Sequence, residues 1–246
     1  MIRVFRETQQ LNIKMMKNIC ANIELIKDTI NSVKNASTAV ELVAVTKTFS
    51  CHDVLEALKC GIEHIGENKI QEALPKFDQL ASALVGITKH FIGHLQANKS
   101  RKAVENFNLI HSLDSIKLAH DISRHAASIN KFQNCLIEVK VSQEVTKTGI
   151  SMEGVKNFYK QCLPIPNIVI KGLMVITPYS DNPEDSRPYF KQVHNLFEEI
   201  KKSFDNADFN ILSMGMSDDY KIAVQEGATM VRVGSAIFGE RYYGNK

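Results

Sequence analysis

Eight short apolar segments, most of them rich in β-branched residues, recur along the chain and constrain its fold more than any other feature. They are LVAVT from residue 42, HIGE from 64, HFIGH from 90, LIHSL from 109, CLIEVKV from 135, IVIKGLMVI from 168, FNILSMG from 209 and TMVRVG from 229. Helical patterns separate most of them, for example over residues 51–61, 115–130 and 188–204. Strands that alternate with helices are typical of a parallel sheet.

Eight such repeats in about 250 residues predict a (β/α)₈ barrel, also called a TIM barrel, within the α/β class. An open doubly wound sheet is the alternative, but that fold usually has a glycine-rich turn after its first strand. Here residues 46–50, TKTFS, contain no glycine. We predict one domain over residues 1–246, with an extra helix around residues 16–35 and a poorly ordered extension over residues 1–12.

Charge and hydropathy exclude several classes of function. The formal net charge is only +3, and basic residues are scattered among acidic ones, so a large nucleic-acid surface is not indicated. The sequence contains no apolar run of about 18 residues, the length that spans a bilayer. The N-terminus lacks the pattern of a secretory signal. These observations predict a cytoplasmic protein that binds neither membrane nor nucleic acid.

The cysteines and histidines predict neither a disulfide framework nor a metal site. The sequence contains five cysteines: Cys20, Cys51, Cys60, Cys135 and Cys162. Their odd number and wide spacing favour free thiols in a reducing compartment. His90 and His94 lie four apart on a predicted strand, roughly 13 Å from each other at about 3.3 Å per residue. That separation is too large for one shared ion. No G-x-S-x-G sequence suggests a hydrolase nucleophile.

Polar residues follow the ends of the predicted strands, where a barrel places its active site. The first strand ends in Lys47, whose amine could form a Schiff base; an ordinary solvated lysine at a strand end is the alternative. Arg232 is the only charged residue of segment 229–239. It either faces a ligand at the barrel mouth or forms a buried structural ion pair.

The loops after strands seven and eight have the composition of a phosphate cradle. Barrels often bind phosphate there, through backbone N–H groups that small residues leave accessible. The candidates are Ser213, Gly215, Gly234 and Ser235; ordinary tight turns are the alternative. Ser217 is predicted to be the N-cap of the following helix, with Asp218 and Asp219 in its first turn.

Seven segments together resemble the pyridoxal 5′-phosphate (PLP) binding and homeostasis family, also called the YggS or PROSC family. They are LVAVTKT, IGENKIQEAL, HFIGHLQANK, IHSLDSIKLA, GLMVI, LSMGMSDDY and VRVGSAIFGER, in family order from residue 42 to 241. The resemblance implies a single barrel similar to the N-terminal domain of alanine racemase. It also implies that PLP is the cofactor, with no metal.

The resemblance assigns roles to individual residues. It implies that Lys47 holds PLP as a Schiff base and that Arg232 faces the pyridine nitrogen. The positions that match the phosphate site are Ser213, Met214, Gly215, Gly234 and Ser235, and those that match the rest of the mouth are Asn68 and His94. Two positions depart from the pattern: Lys69 replaces a tyrosine or arginine, and Lys140 replaces an asparagine.

These residues favour a PLP carrier over an enzyme. An arginine at the ring nitrogen disfavours its protonation and weakens the electron sink that amino-acid chemistry needs. A racemase also needs a second base from another domain, which we do not expect here. A weak racemase or lyase is the second hypothesis, and a phosphate-sugar aldolase that uses Lys47, Lys140 or Lys171 is the third. We expect a monomer without catalytic residues that passes PLP to apo enzymes.

Overall fold

The computed structural model describes residues 18–35, 39–141 and 148–239. The extension expected at residues 1–12 therefore lies outside the described residues. Within the described ranges, none of the helices has both the length and the apolar character needed to cross a bilayer.

Eight parallel strands close into the predicted barrel. In barrel order they are β4, Leu109–Leu113; β3, Thr88–Phe91; β2, His64–Glu67; β1, Glu41–Val45; β9, Met230–Val233; β8, Ile211–Ser213; β7, Ile168–Val175; and β5, Gln133–Lys140. Pairing of β4 with β5 closes the ring, and every pair is parallel. A two-residue strand that the sequence did not predict, β6 at Ile150–Ser151, adds to the end of β5.

The helices lie between the strands and pack around the ring. They are α1, Ile19–Val33; α2, Cys51–Lys59; α3, Ile70–Gln79; α4, Ser100–Asn106; α5, Ile116–Ser128; α6, Met152–Cys162; α7, Arg187–Phe204; α8, Tyr220–Gln225; and α9, Ser235–Phe238. The helix predicted before the first strand is α1. Ile19, Ile23, Ile26 and Ile30 form its buried face, at the i, i+3/i+4 spacing of an amphipathic helix.

The apolar residues form two clusters on the two sides of the strands. The larger one lies between the strands and the helices. The smaller one lies in the barrel interior and consists of Val43, Leu109, Leu136, Met174 and Met230. Because side chains alternate along a strand, inward positions recur every second residue. Val43 of β1 lies opposite Arg232 of β9 in the ladder, so Arg232 also belongs to the inward set.

The expectation of five free thiols is wrong for two of them. Cys20 of α1 and Cys60, which follows α2, form a disulfide with their Cα atoms 5.3 Å apart. Cys51, Cys135 and Cys162 are free. The two bonded residues lie 40 positions apart, and only the packing of α1 against α2 brings them together. Cytoplasmic localisation, which the thiols had supported, stays a prediction.

Candidate functional site

A cavity of about 520 Å³ opens at the carboxyl ends of the strands, where the sequence predicted the site. Its lining comes from five strand ends: Lys47 after β1, Asn68 after β2, His94 after β3, Glu138 and Lys140 on β5, and Ile176 after β7. The four residues that follow their strands continue the inward-facing parity beyond the last ladder pair, whereas Glu138 and Lys140 still pair within the ladder of β5. The lysine, the asparagine and the histidine predicted for the mouth therefore do lie around one cavity.

A buried polar cluster fixes the end of β1 directly before Lys47. The Nζ of Lys76 donates to the carbonyl of Thr46 and to Oε1 of Glu67, each at 2.6 Å. The hydroxyl of Thr46 donates to the same carboxylate oxygen at 2.7 Å. Glu67 is fully buried and Lys76 nearly so. These hydrogen bonds therefore replace the water that would otherwise solvate the two charges. The cluster therefore fixes the backbone position from which the Lys47 side chain extends.

The neighbouring strands β2 and β3 approach each other closely at the mouth. A Cβ atom added at Gly93 would collide with the backbone carbonyl of Asn68, so only glycine permits this approach. The next residue, His94, is half exposed, with Nδ1 3.4 Å from Oδ2 of Asp114. Lys69, one of the two departures from the family pattern, points to Glu72 on the surface at 2.9 Å. The other departure, Lys140, lines the cavity itself.

Glu138 is a mouth residue that the sequence analysis missed. Thr148 donates to its Oε1 at 3.1 Å, whereas its buried Oε2 has no hydrogen-bond partner among the described residues. Burial raises the pKa of this carboxyl, with nearby Asp114 adding to the rise; the Thr148 hydrogen bond and the Arg232 charge act in the opposite direction. The inward parity of β5, two positions before Lys140, was the signal that could have identified it.

Arg232 lies beneath the mouth as a buried cation. Its guanidinium donates to the hydroxyl of Ser213 at 2.7 Å and to the carbonyl of Val175 at 2.9 Å. Burial lowers its pKa to about 10, against the attraction of Asp219 and Glu138. Within the described ranges no carboxylate forms a salt bridge with it, so the alternative of a structural ion pair is not what the structure contains. Ser213 is itself fully buried.

The loops after β8 and β9 are joined by a serine hydroxyl. The backbone amides of Gly234 and Ala236 both donate to Oγ of Ser217 at 3.2 Å. The prediction that Ser217 caps the following helix is therefore wrong. The N-cap of α8 is Asp219, without a side-chain cap bond, because the helix begins only at Tyr220. Ser217 is too early in the loop to reach that end and instead meets the start of α9.

The remaining candidates of the phosphate cradle differ in their surroundings. Ser235 is exposed at the first position of α9, whereas Met214 is buried and its amide donates to the carbonyl of Met230. Gly215 has φ of 90°, and a Cβ there would lie 2.5 Å from that of Ala223, so the turn requires glycine. The phosphate roles of these residues, like that of Ser213, stay predictions.

Asp219 is buried and organises the same loop. Its Oδ1 accepts from the amide of Met216 at 2.6 Å and its Oδ2 accepts from the hydroxyl of Thr177 at 3.2 Å. Asp218, which the sequence treated in the same way, is exposed. The two adjacent aspartates therefore have different surroundings, and only one of them holds the loop against β7.

The histidines predicted to be too far apart for one ion lie in different environments. His90 is buried in the barrel interior and His94 reaches the mouth. In the part of the chain that the structure describes, no group of three or more His, Cys, Asp or Glu residues is arranged to hold a metal. Lys171, one of the lysines considered for an aldolase, pairs with Asp208 at 2.8 Å, before β8, and does not line the mouth.

Comparison with known proteins identifies the domain. The family model for the alanine racemase N-terminal domain matches residues 18–242. The pyridoxal phosphate homeostasis protein of Aquifex aeolicus is 39% identical over 221 residues, which are 90% of this chain and 96% of that protein. Its counterpart in a Synechocystis strain is 42% identical over 203 residues, 82% of this chain and 92% of that protein.

Solved structures show the same barrel. PipY of Synechococcus elongatus, solved with PLP bound, is 34% identical and superposes with a TM-score of 0.80 over 90% of this chain and all of that one. Alanine racemase from Corynebacterium glutamicum is 14% identical, with a TM-score of 0.69 over 93% of this chain and 63% of that one. The second likeness concerns the fold alone.

Proposed function

Because this chain belongs to the pyridoxal phosphate homeostasis protein family and has the alanine racemase N-terminal domain, we propose that it binds PLP at the barrel mouth and holds it for storage and delivery. The observation that carries the proposal is the position of Lys47. Lys47 follows β1 and lines the cavity at the mouth, and β1 pairs with β9, the strand that precedes the glycine and serine loop.

The residues around the cavity fit the chemical groups of PLP. Lys47 would hold PLP through its amine, and PLP would supply the aldehyde, whose oxygen would leave as one water molecule on formation of the C=N bond. Arg232 lies at the level of Val43, and Gly234 packs against Val45, so cation, cradle and lysine follow one another along adjacent strands. This order matches the sequence of pyridine nitrogen, phosphate and aldehyde around one side of a small ring.

The chain's own groups would then divide the work of binding. The Ser217 hydroxyl, which accepts from the amides of Gly234 and Ala236, would hold this loop in place, and Gly234 and Ser235 would line the phosphate site within it. Ser213, Met214 and Gly215 would support it from the β8 side. Asn68 and His94 would line the mouth.

Arg232 sets the limit on chemistry. Its guanidinium would keep its protons and donate a hydrogen bond to the ring nitrogen, which would then remain an unprotonated acceptor. An unprotonated ring is a weak electron sink, so extensive amino-acid turnover is not favoured. A reversible bond to Lys47 and a cavity that opens at the barrel mouth would suit uptake and release. Delivery to apo enzymes, a monomeric state and a cytoplasmic location belong to the same proposal.

The test compares two lysines of the same cavity. Lys47→Ala is expected to abolish the yellow absorption of PLP-loaded protein and its fixation by borohydride, while Lys140→Ala retains both. Peptide mapping after borohydride should find the label on Lys47. A Lys47→Ala protein that is labelled to the same extent would disprove the assignment.

The carrier role is tested by transfer. PLP-loaded protein is expected to restore activity to an apo PLP-dependent enzyme, and an amino-acid panel should show no substantial racemisation, decarboxylation or transamination. Robust turnover that disappears in Lys47→Ala would instead establish the racemase or lyase alternative.

A further inference from the structure

Three histidines on consecutive strands form a continuous hydrogen-bonded chain inside the barrel. Nδ1 of His64 on β2 lies 3.0 Å from Nε2 of His90 on β3. Nδ1 of His90 lies 2.9 Å from Nε2 of His111 on β4. Nδ1 of His111 lies 3.2 Å from the hydroxyl of Ser213 on β8. Nothing in the mouth site described above makes use of these rings.

The hydrogen-bonded histidine chain joins the two ends of the barrel. At one end the hydroxyl of Ser213 accepts the 2.7 Å hydrogen bond from Arg232. At the other end His64 is one-fifth exposed and lines a cavity of about 340 Å³, together with Glu41 at the start of β1. His90 and His111 between them are almost completely buried. The buried cation is thus connected, through one oxygen and three rings, to the face opposite the mouth.

Arg232 determines the direction of every hydrogen bond in the chain. A guanidinium only donates, so the Ser213 oxygen accepts from it. Among the hydrogen-bond partners of this buried hydroxyl in the described residues, Nδ1 of His111 is the one that can accept its proton, so the proton points there. A neutral imidazole has one donor and one acceptor nitrogen. His111 must therefore carry its proton on Nε2 and donate to His90. By the same argument His90 carries its proton on Nε2 and donates to His64.

The electrostatics of the rings agree with this arrangement. Burial, followed by the charge of His64, lowers the pKa of His90 to about 3. Burial, His90 and Arg232 together lower that of His111 well below the ordinary value. Both rings are therefore neutral at physiological pH. With their protons on Nε2, each ring turns its acceptor lone pair towards Arg232, so the negative ends of both dipoles face the cation.

Simple filling of the core does not account for this arrangement. Part of the barrel interior is already an apolar cluster, and an apolar side chain in place of a histidine would fill the volume without any need for ordered polar partners. Arg232 is a buried cation that has no carboxylate in a salt bridge among the described residues. The oriented rings and the Ser213 hydroxyl occupy the place where such a counterion would otherwise be expected.

We propose that His111, His90 and His64 are positioning residues that act through Ser213 to fix the guanidinium of Arg232 opposite the cofactor ring nitrogen. The proposal rests on the proposed function only in placing that nitrogen next to Arg232. The three histidines orient the Ser213 hydroxyl, and the hydroxyl accepts a hydrogen bond from one N–H of Arg232. The remaining N–H groups are thereby aimed at the ring and at the Val175 carbonyl.

The first experiment needs no cofactor and no destabilising variant. Two-bond ¹H–¹⁵N correlation spectra of wild-type protein at pH 7 distinguish the two neutral tautomers and the protonated ring. His90 and His111 are expected as fixed Nε2–H tautomers, while exposed His120 shows the averaged shifts of a solvated ring. A protonated ring, an Nδ1–H tautomer or averaging at either buried position would overturn the proposal.

The second experiment separates positioning from packing. The ligands are PLP and its analogue in which a CH group replaces the ring nitrogen. His111→Phe is expected to weaken PLP about tenfold, the value of one hydrogen bond to a charged group, and to leave the analogue unchanged. Met174→Leu, a volume-conserving change in the same interior, should affect the two ligands equally.

The outcomes distinguish this proposal from the proposed function. Equal weakening of both ligands by His111→Phe would mean a packing defect and would overturn the positioning role. Equal affinity of wild-type protein for both ligands would also overturn it, yet would leave binding through Lys47 intact. Failure of the proposed function itself would appear separately, as loss of borohydride labelling at Lys47.

Discussion

Glu138 and Arg232 show how one environment shifts the pKa of an acid and the pKa of a base in opposite directions. Both lie in or just below the barrel mouth, and desolvation is the largest cause of each shift. Burial disfavours whichever form is charged, so it raises the pKa of the carboxyl and lowers that of the guanidinium. Their mutual attraction opposes both changes. Of the two groups, the carboxyl is the one that titrates in a pH range where protein stability can be measured.

Glu138→Gln is expected to stabilise the protein at alkaline pH. The folded pKa lies above the unfolded value, so the folded state holds the proton longer and stability falls as pH rises through that window. The substitution retains the Thr148 hydrogen bond and removes the charge. Denaturant unfolding should show a gain in the free energy of unfolding at pH 8 and little change at pH 4. Exposed Glu24→Gln is the control, and a loss at pH 8 would contradict the prediction.

The paired loops after β8 and β9 act as one unit at the scale of elements. Gly215 supplies the turn, Asp219 ties the first loop to Thr177, and Ser217 ties it to the amides of Gly234 and Ala236. The two loops are adjacent because β8 and β9 are neighbours in the barrel. Their backbone donors are therefore held in a common arrangement before any ligand arrives.

Ser217→Ala is expected to weaken binding of PLP about tenfold and binding of pyridoxal, which lacks the phosphate, much less. The variant removes the hydroxyl that orders two amides of the proposed cradle. Equilibrium titration with both ligands measures the difference. Ser128→Ala, on the exposed surface of α5, is the matched control. If both ligands lost the same affinity, the loop pair would not be a phosphate site.

At the scale of the whole molecule, α1 connects the start of the described chain to its last elements. The Cys20–Cys60 disulfide joins it to the end of α2, and Lys27 donates to the carbonyl of Gly61 at 2.8 Å. Asn22 donates to the carbonyl of Ile237 in α9 at 2.9 Å. The helix therefore joins two parts of the barrel that are distant in sequence, the end of α2 and α9. The second of these begins at the proposed cradle.

Cys20→Ser is expected to lower the free energy of unfolding by about 4 kcal/mol without reductant, because the cross-link closes a loop of 40 residues. Wild-type protein in reductant should approach the same value, and Cys51→Ser should not. Thiol titration of unfolded, unreduced protein gives an independent check. Three reactive thiols are expected from the five cysteines, whereas five would contradict the disulfide.

Local sequence patterns predicted the barrel and the positions of its reactive residues. Alternation of apolar segments with helical periods indicates the order of elements, and a closed ring of eight strands then places every strand end at one face. That reasoning was sufficient to bring Lys47, Asn68 and His94 to one cavity and to place Arg232 among the inward residues. Each step depends only on residues near one another in the chain or on the period of the strand.

Side-chain partners were decided only by the tertiary structure. Ser217 meets Gly234 and Ala236, Cys20 meets Cys60, and His111 meets Ser213 across 102 residues of sequence. No local pattern encodes these contacts, because each requires the ring to be closed and two separate elements to take one register. Periodicity shows which way a side chain faces. What lies opposite that side chain depends on how the whole barrel closes.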